Sequence, residues 1–291
     1  MTRSYRFGLF GHPVKHSLSP VMHGASFQSL GLRAEYVCFD VPPEELAARL
    51  EACRRDGFDG LNLTIPHKEA AVALMSRLDP SARLFGAVNT VTFSAKGCTG
   101  FNTDAAGFLD DLKASKGLTP EGRRVLILGC GGAGRALAIA CARDGASEIG
   151  LANRTASKAE TLASEIAERL PDSVSQVEVL SCDPDVWARF CRECDLIVQC
   201  TSTGLHAGDA SLLPPSAFRP GQLLYDLVYT SRVTATMGAA LAGGAEALNG
   251  AGMLVYQGAA AFEIWTGLKA DTRAMRAALE ARVYAAEAAG A

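Results

Sequence analysis

Nowhere in the 291 residues does an apolar run approach the roughly 20 residues that a membrane span needs. The start, MTRSYRFGLFG, has no long apolar stretch of the kind that directs secretion. A cytoplasmic protein with no membrane partner is the expectation. Basic charge is not in excess either: 28 Lys and Arg against 31 Asp and Glu leave a net charge of -3, so nucleic acid is not expected as a partner. The nine cysteines lack the spacings of a disulfide framework, which suits a reducing compartment. Only Cys191 and Cys194 form a CxxC. A zinc site would need a second pair, and a redox motif would open a helix after a strand, whereas this pair precedes the strand-like DLIVQC; packing or surface thiols are expected. The five histidines form no ligand set, His12 and His16 being split by Pro13, and no metal is expected. Internal repeats and low-complexity segments are also missing.

What is present is a chain long enough for two domains. RFGLFG, AEYVCFDV and FDGLNLTI are β-branched or aromatic runs separated by helical stretches such as EELAARLEACRRDG, an alternation that argues a parallel sheet wrapped by helices. AVNTVTFSA extends to a turn at Lys96-Gly97, and TDAAGFLDDLKASKG reads as a helix capped by Thr103 or Asp104 that carries the chain to a second domain. From Val125 the rhythm restarts with VLILG, EIGLANR, QVEVL, DLIVQC and LLYDLV as strands to about residue 230. No strand pattern follows; the helical stretches LVYQGAAAFEIW and TRAMRAALEARVYAAEA are expected to return to the first domain. The fold class is α/β, an N-terminal α/β domain plus a Rossmann domain, with C-terminal helices on the first.

The most specific local signal is VLILGCGGAGRALAIA. A dinucleotide loop needs one glycine for a tight turn, one where backbone approaches a pyrophosphate and one for close helix packing, and Gly129, Gly131 and Gly134 hold those places, with Gly132 beside them. The helix that follows offers unpaired N–H groups and a positive dipole end to a diphosphate. About 20 residues on, where NAD-binding units place an acid, this chain has Asn153-Arg154-Thr155. Arg154 can meet a 2′-phosphate with a charge-assisted fork and Lys158 can add a second charge, so NADP is favoured over NAD. The bland alternative has Thr155 capping a helix and Arg154 merely solvated.

In open α/β sheets ligands bind at strand C-termini, where LNLTIPHK, GAVNT and GFNTD fall. Hydride transfer to a ketone needs a proton donor beside the carbonyl oxygen, and Lys68 and Asp104 are of suitable type. Taken alone, Lys68 reads as a solvated charge and Asp104 as a cap; spacing does not show that they meet.

Ser17-Leu18-Ser19-Pro20, Asn62 to Lys68, Gly86 to Thr90, Asn102-Thr103-Asp104, the glycine loop, Asn153-Arg154-Thr155 and Gly252 to Gln257, in order along nearly the whole chain, resemble the shikimate dehydrogenase family. The resemblance implies NADPH-dependent, reversible reduction of 3-dehydroshikimate to shikimate in aromatic amino acid biosynthesis. It implies that Lys68 and Asp104 are the catalytic pair, with the proton donor of the two left open. Ser17 and Ser19 would hold the substrate carboxylate, with Tyr229 near it, although Ser19 before Pro20 also suits a helix N-cap. Asn62, Thr64, Asn89 and Gln257 would bond ring hydroxyls, since unpaired buried hydroxyls cost about 1 to 3 kcal/mol each. The cofactor would be held by Gly129, Gly131, Gly132, Ala133, Gly134, Asn153, Arg154, Thr155, Lys158, Thr201, Thr203, Gly250 and Met253. Residues 1–103 and 240–291 would form the substrate-binding, catalytic domain and 104–239 the Rossmann NADP-binding domain; a homodimer is allowed.

The chain departs from the family pattern at Leu63, at His67 where Phe or Tyr is common, at Cys130 in the glycine turn, and at Gln199-Cys200 where an asparagine is usual. A quinate/shikimate dehydrogenase of the same superfamily, often NAD-linked, is the nearest rival, and Arg154 argues against it. A non-catalytic NADP-binding relative is the other, and retention of Lys68 and Asp104 speaks against that.

Overall fold

The computed structural model describes residues 3–173, 176–206 and 208–285. The chain divides into two compact units, Met1–Asp110 with Leu254–Arg282, and Asp111–Met253 with Val283–Ala291. The helices Asp104–Lys116 and Ala251–Thr266 each contribute residues to both. The end of the last expected helix, residues 286–291, lies outside the described residues.

The first unit is built on a six-stranded sheet of β1 (Ser4–Gly11), β2 (Arg33–Asp40), β3 (Gly60–Leu63), β4 (Arg77–Leu78), β5 (Thr90–Ser94) and β6 (Gly97–Phe101), in the order β2-β1-β3-β5-β6-β4. The parallel sheet expected from the strand–helix alternation is only partly present. β1 pairs in parallel with β2 and β3, but β3–β5 and β5–β6 are antiparallel. For β5 and β6 the reason is local, since the two-residue turn at Ala95-Lys96 can only make a hairpin, whereas the antiparallel β3–β5 pairing is set by which strand β5 lies beside.

The C-terminal helix Ala251–Thr266 does pack on this sheet. Phe7, Phe27, Ala261, Phe262 and Trp265 form one buried cluster, with Trp265 stacked on Phe7 at 4.7 Å between ring centroids. The indole N–H donates to the Val91 carbonyl at 3.0 Å, so the ring is buried without an unpaired donor. Loss of a side chain of this size from such a site costs about 3–5 kcal/mol.

The second unit carries β7 (Arg124–Leu128), β8 (Glu148–Ala152), β9 (Gln176–Val179), β10 (Leu196–Gln199), β11 (Leu223–Asp226) and β12 (Glu246–Asn249), ordered β12-β11-β10-β7-β8-β9 and parallel throughout. This is the Rossmann order, with its switch point between β7 and β10. Central strands read as unbroken apolar runs because helices cover both faces: β10 and β11 are buried at every position. β12 is the strand that the sequence pattern ending near residue 230 leaves out. It is a four-residue edge strand, Glu-Ala-Leu-Asn, with one exposed and three half-buried positions, too short and too polar to register as a run.

Cys191 and Cys194 are fully buried and free, and burial pushes the Cys191 thiol up to about 12, so the CxxC is a packing feature.

His23, on the helix Ser19–Ser29, is also fully buried, stacked on Tyr36, and neither ring nitrogen reaches a partner at hydrogen-bond distance. Burial pulls its imidazole down to about 3, with the Asn62 amide opposing weakly. The unfolded imidazole titrates at about 6.5. Between these values only the unfolded chain takes up the proton, so this contribution is complete above the unfolded value and is lost as pH falls toward the folded one. His23→Phe is expected to reduce the stability lost between pH 7 and pH 4.5, read by urea denaturation, by about 2 kcal/mol; an unchanged pH dependence would count against a neutral buried His23.

Candidate active site

Lys68 sits on the short helix His67–Ala70 that follows β3. Three bonds fix that helix: the His67 N–H donates to Thr64 O at 2.8 Å, the Val88 N–H donates to Lys68 O at 2.8 Å, and the buried His67 ring bonds Val41 O through Nε2 at 2.8 Å. A carbonyl only accepts, so Nε2 carries the proton. Burial holds this imidazole below its ordinary range, which keeps it neutral. The residue that departs from the family's aromatic pattern is therefore an anchor for the lysine's helix.

Asp104 opens the helix Asp104–Lys116, where a carboxylate suits the positive dipole end. Asn102 Oδ1 accepts the Asp104 N–H at 3.1 Å. The carboxylate oxygens are directed elsewhere than to a cap: Oδ2 receives Lys68 Nζ at 2.7 Å and Oδ1 receives Asn89 Nδ2 at 2.9 Å. Both charged side chains are partly accessible, 30% for Lys68 and 17% for Asp104, enough for a ligand to reach the pair.

Asn89, buried at the start of β5, joins these pieces. Its Nδ2 also donates to Thr103 Oγ1 at 2.9 Å, and its Oδ1 accepts the Thr103 N–H and the Thr90 hydroxyl, each at 2.9 Å. Asn62 on β3 donates through Nδ2 to Asn89 O and Thr90 Oγ1, both at 3.1 Å, and its Oδ1 accepts the Tyr36 hydroxyl at 2.7 Å. Tyr36 is not visible from sequence; an aromatic in a strand run reads as core, and its bond to Asn62 marks it. Both donors of Asn89 and of Asn62 are already used, so either amide donates to a ligand only by exchanging one of these bonds.

Ser17 and Ser19 form a second group, their hydroxyls 3.3 Å apart. Ser19 is not the N-cap: Leu18 takes that position and no side chain caps the helix, so the capping explanation for Ser19 fails. Gln257, half-buried on the helix Ala251–Thr266, donates to Leu254 O at 2.9 Å, and Thr64 follows β3 with its N–H on Phe10 O. Tyr229 belongs to the second unit, beyond β11, with its phenol raised by burial.

In the second unit the glycine loop meets each requirement of the fingerprint. Gly129 has φ +98, and a Cβ there would lie 2.8 Å from Thr201 Cγ2. A Cβ on Gly134 would fall 1.8 Å from Gly129 O, while Cβ atoms on Gly131 and Gly132 would meet nothing within 4 Å. The loop therefore packs tightly at its base and opens at the helix N-terminus, where Gly131, Gly132 and Ala133 are exposed; these residues fit a dinucleotide diphosphate. Asn153 Oδ1 accepts the Cys130 N–H at 3.0 Å and its Nδ2 donates to Thr155 O at 2.8 Å, tying the end of β8 to the loop. Thr155 occupies the N-cap position but makes no capping bond. Arg154 and Lys158 are exposed, and among the described residues neither is in an ion pair, whereas Arg135 is held by Glu165. Burial pushes the Glu165 carboxyl up, but Arg135 and Arg169 together bring it below its ordinary value. Thr201 and Thr203 lie beyond β10, with the Thr203 N–H on Thr201 Oγ1 at 3.1 Å. A Cβ on Gly250 would meet Leu227 O at 2.2 Å, and the Met253 N–H donates to Tyr225 Oη at 3.1 Å.

A Rossmann unit with an open glycine loop and a cationic strand end, in a chain that also carries a lysine–carboxylate pair, defines a nicotinamide-dependent oxidoreductase. Residues 9–91 match the family description "Shikimate dehydrogenase substrate binding domain", residues 112–206 match "Shikimate / quinate 5-dehydrogenase" and residues 250–280 match "Shikimate 5'-dehydrogenase C-terminal domain". The chain is 44% identical over 274 residues to shikimate dehydrogenase (NADP(+)) of Methanopyrus kandleri, covering 94% of this chain and 93% of that one. Among solved structures it is similar to shikimate 5-dehydrogenase of Thermus thermophilus in complex with NADP(H) and shikimate (TM-score 0.83, 41% identity, 94% and 98% covered). It is also similar to quinate dehydrogenase of Corynebacterium glutamicum in complex with NAD (TM-score 0.85, 31% identity, 95% and 98% covered). The chain belongs to the shikimate dehydrogenase family.

The glycine geometry separates folding from binding. Gly131→Ala is expected to leave the melting temperature within about 2 °C while weakening NADPH at least about tenfold, and Gly134→Ala to lower the melting temperature itself, because its Cβ has nowhere to go. Thermal melts with NADPH titrations check both; equal behaviour of the two variants would contradict the division of roles.

Proposed function

We propose that this chain is an NADP-dependent shikimate dehydrogenase that reduces 3-dehydroshikimate to shikimate and catalyses the reverse oxidation. The observation that carries the reading is the Lys68–Asp104 pair at 2.7 Å, accessible on one side and fixed from behind by Asn89. Bound NADPH supplies the hydride. Lys68 and Asp104 move the proton at the substrate oxygen, sharing it along the Nζ···Oδ2 contact, so that charge on that oxygen does not build up. Asn89 keeps Oδ1 occupied and leaves Oδ2 for this exchange. The paired hydroxyls of Ser17 and Ser19 take the substrate carboxylate, and Asn62, Thr64, Asn89, Gln257 and Tyr229 serve the ring hydroxyls and carboxylate.

Exposed Arg154 and Lys158 at the end of β8, in place of an acid, support NADP over NAD. The same substitution argues against an NAD-linked quinate dehydrogenase. The nine free cysteines support a cytoplasmic enzyme.

Steady-state kinetics with shikimate and quinate, each with NADP and NAD, test the reading. The highest kcat/KM is expected for shikimate with NADP, and Arg154→Ala is expected to lower kcat/KM for NADP at least about tenfold while changing that for NAD less than about twofold. A preference for quinate with NAD, or equal losses for the two cofactors, would overturn it.

A further inference from the structure

Gln199 and Asp226 are the last residues of adjacent parallel strands, β10 and β11, and stand in register with one another. Both are fully buried. A buried amide and a buried acid at a sheet edge are costly unless their hydrogen bonds are made. Here the bonds go to the backbone of the two loops that leave those strands. Gln199 Nε2 donates to Thr203 O at 2.8 Å and to Asp226 Oδ1 at 3.2 Å, while its Oε1 accepts the Thr201 N–H. Asp226 Oδ1 also accepts the Val228 N–H at 3.0 Å, and Oδ2 accepts the Thr234 hydroxyl at 2.6 Å. Thr234 Oγ1 in turn accepts the Met237 N–H and caps the helix Ala235–Ala242. All three groups that contact Asp226 are donors, which is what an ionised carboxylate requires. Burial raises the Asp226 carboxyl and these bonds oppose the rise.

The loop held in this way is next to the glycine turn. Thr201 Cγ2 is the atom a Cβ on Gly129 would strike, so a displaced Thr201 would disturb the turn at the base of the dinucleotide loop. The second loop, between Asp226 and Thr234, carries Tyr229. The Gln199 side chain spans both Thr203 and Asp226.

We infer that the buried Gln199–Asp226 pair is a positioning element for the NADP site, setting the Thr201–Thr203 backbone against the glycine turn. The inference rests on the cofactor reading above and adds to it two fully buried residues. Its test is NADPH binding, followed by fluorescence, with kinetics and thermal melts on the full chain. Gln199→Leu, which keeps the volume and removes the bonds, is expected to weaken NADPH about tenfold, with KM for shikimate at saturating NADP changed less than about twofold. Asp226→Asn keeps an acceptor for Val228 and Gln199 and is expected to stay within about threefold of the wild type. Thr234→Val makes a milder cut in the same network and is expected to weaken NADPH about threefold, which keeps the inference testable if Gln199→Leu does not fold. NADPH binding by folded Gln199→Leu and Thr234→Val equal to wild type, or a shikimate KM that rises as much as the NADPH Kd, would overturn the inference and leave the cofactor reading standing. Failure of the wild type to bind NADPH would overturn both.

Discussion

The Lys68–Asp104 pair is held close while remaining partly accessible, and the carboxamide of Asn89 is the group through which this chain meets both conditions. It bonds Asp104 Oδ1, Thr103 and Thr90, and so connects the start of β5, the start of the helix Asp104–Lys116 and, through Asp104, the lysine on the helix after β3. Each bond alone contributes little net stability, about 1 kcal/mol. Their joint effect is on geometry, since a buried amide with every donor used has one orientation that satisfies it. The Tyr36 hydroxyl orients Asn62, Asn62 bonds the Asn89 carbonyl and the Asn89 amide bonds Asp104, so the aromatic core beneath β1 and β2 is linked to the Lys68–Asp104 pair through three hydrogen bonds.

The cofactor half is organised on a different principle. There the proposed ligand contact is backbone, so the determinants are places where a side chain is absent: the open positions at Gly131 and Gly132, and the close contact at Gly134. Side chains enter as supports. Asn153 holds the Cys130 N–H, and Gln199 and Asp226 hold the loops beyond β10 and β11. Both halves use a buried amide to fix backbone or carboxylate atoms whose positions matter for chemistry.

Much of this was legible in the sequence. The glycine spacing and the basic residues at the end of β8 follow from local chemistry, and the apolar runs of β7, β10 and β11 follow from burial on both faces; Lys68 and Asp104 stand out as a pair only through the family resemblance. What escaped was set by tertiary context. The antiparallel pairing of β5 with β3 depends on which strand it lies beside, and β12 is an edge strand without an apolar run. Ser19 resembles a cap by residue type, yet the helix begins one residue differently. His67, Tyr36 and Gln199 act through bonds to distant partners, Val41, Asn62 and Asp226, which no local spacing encodes.

The kcat for 3-dehydroshikimate reduction at saturating NADPH, measured for Lys68→Ala, Asp104→Ala and the double variant, reads whether Lys68 and Asp104 work as one unit. Each single substitution is expected to lower kcat by about 10² to 10⁴, and the double variant to fall no further than the worse single one. Losses that multiply in the double variant would show two independent groups and contradict the account.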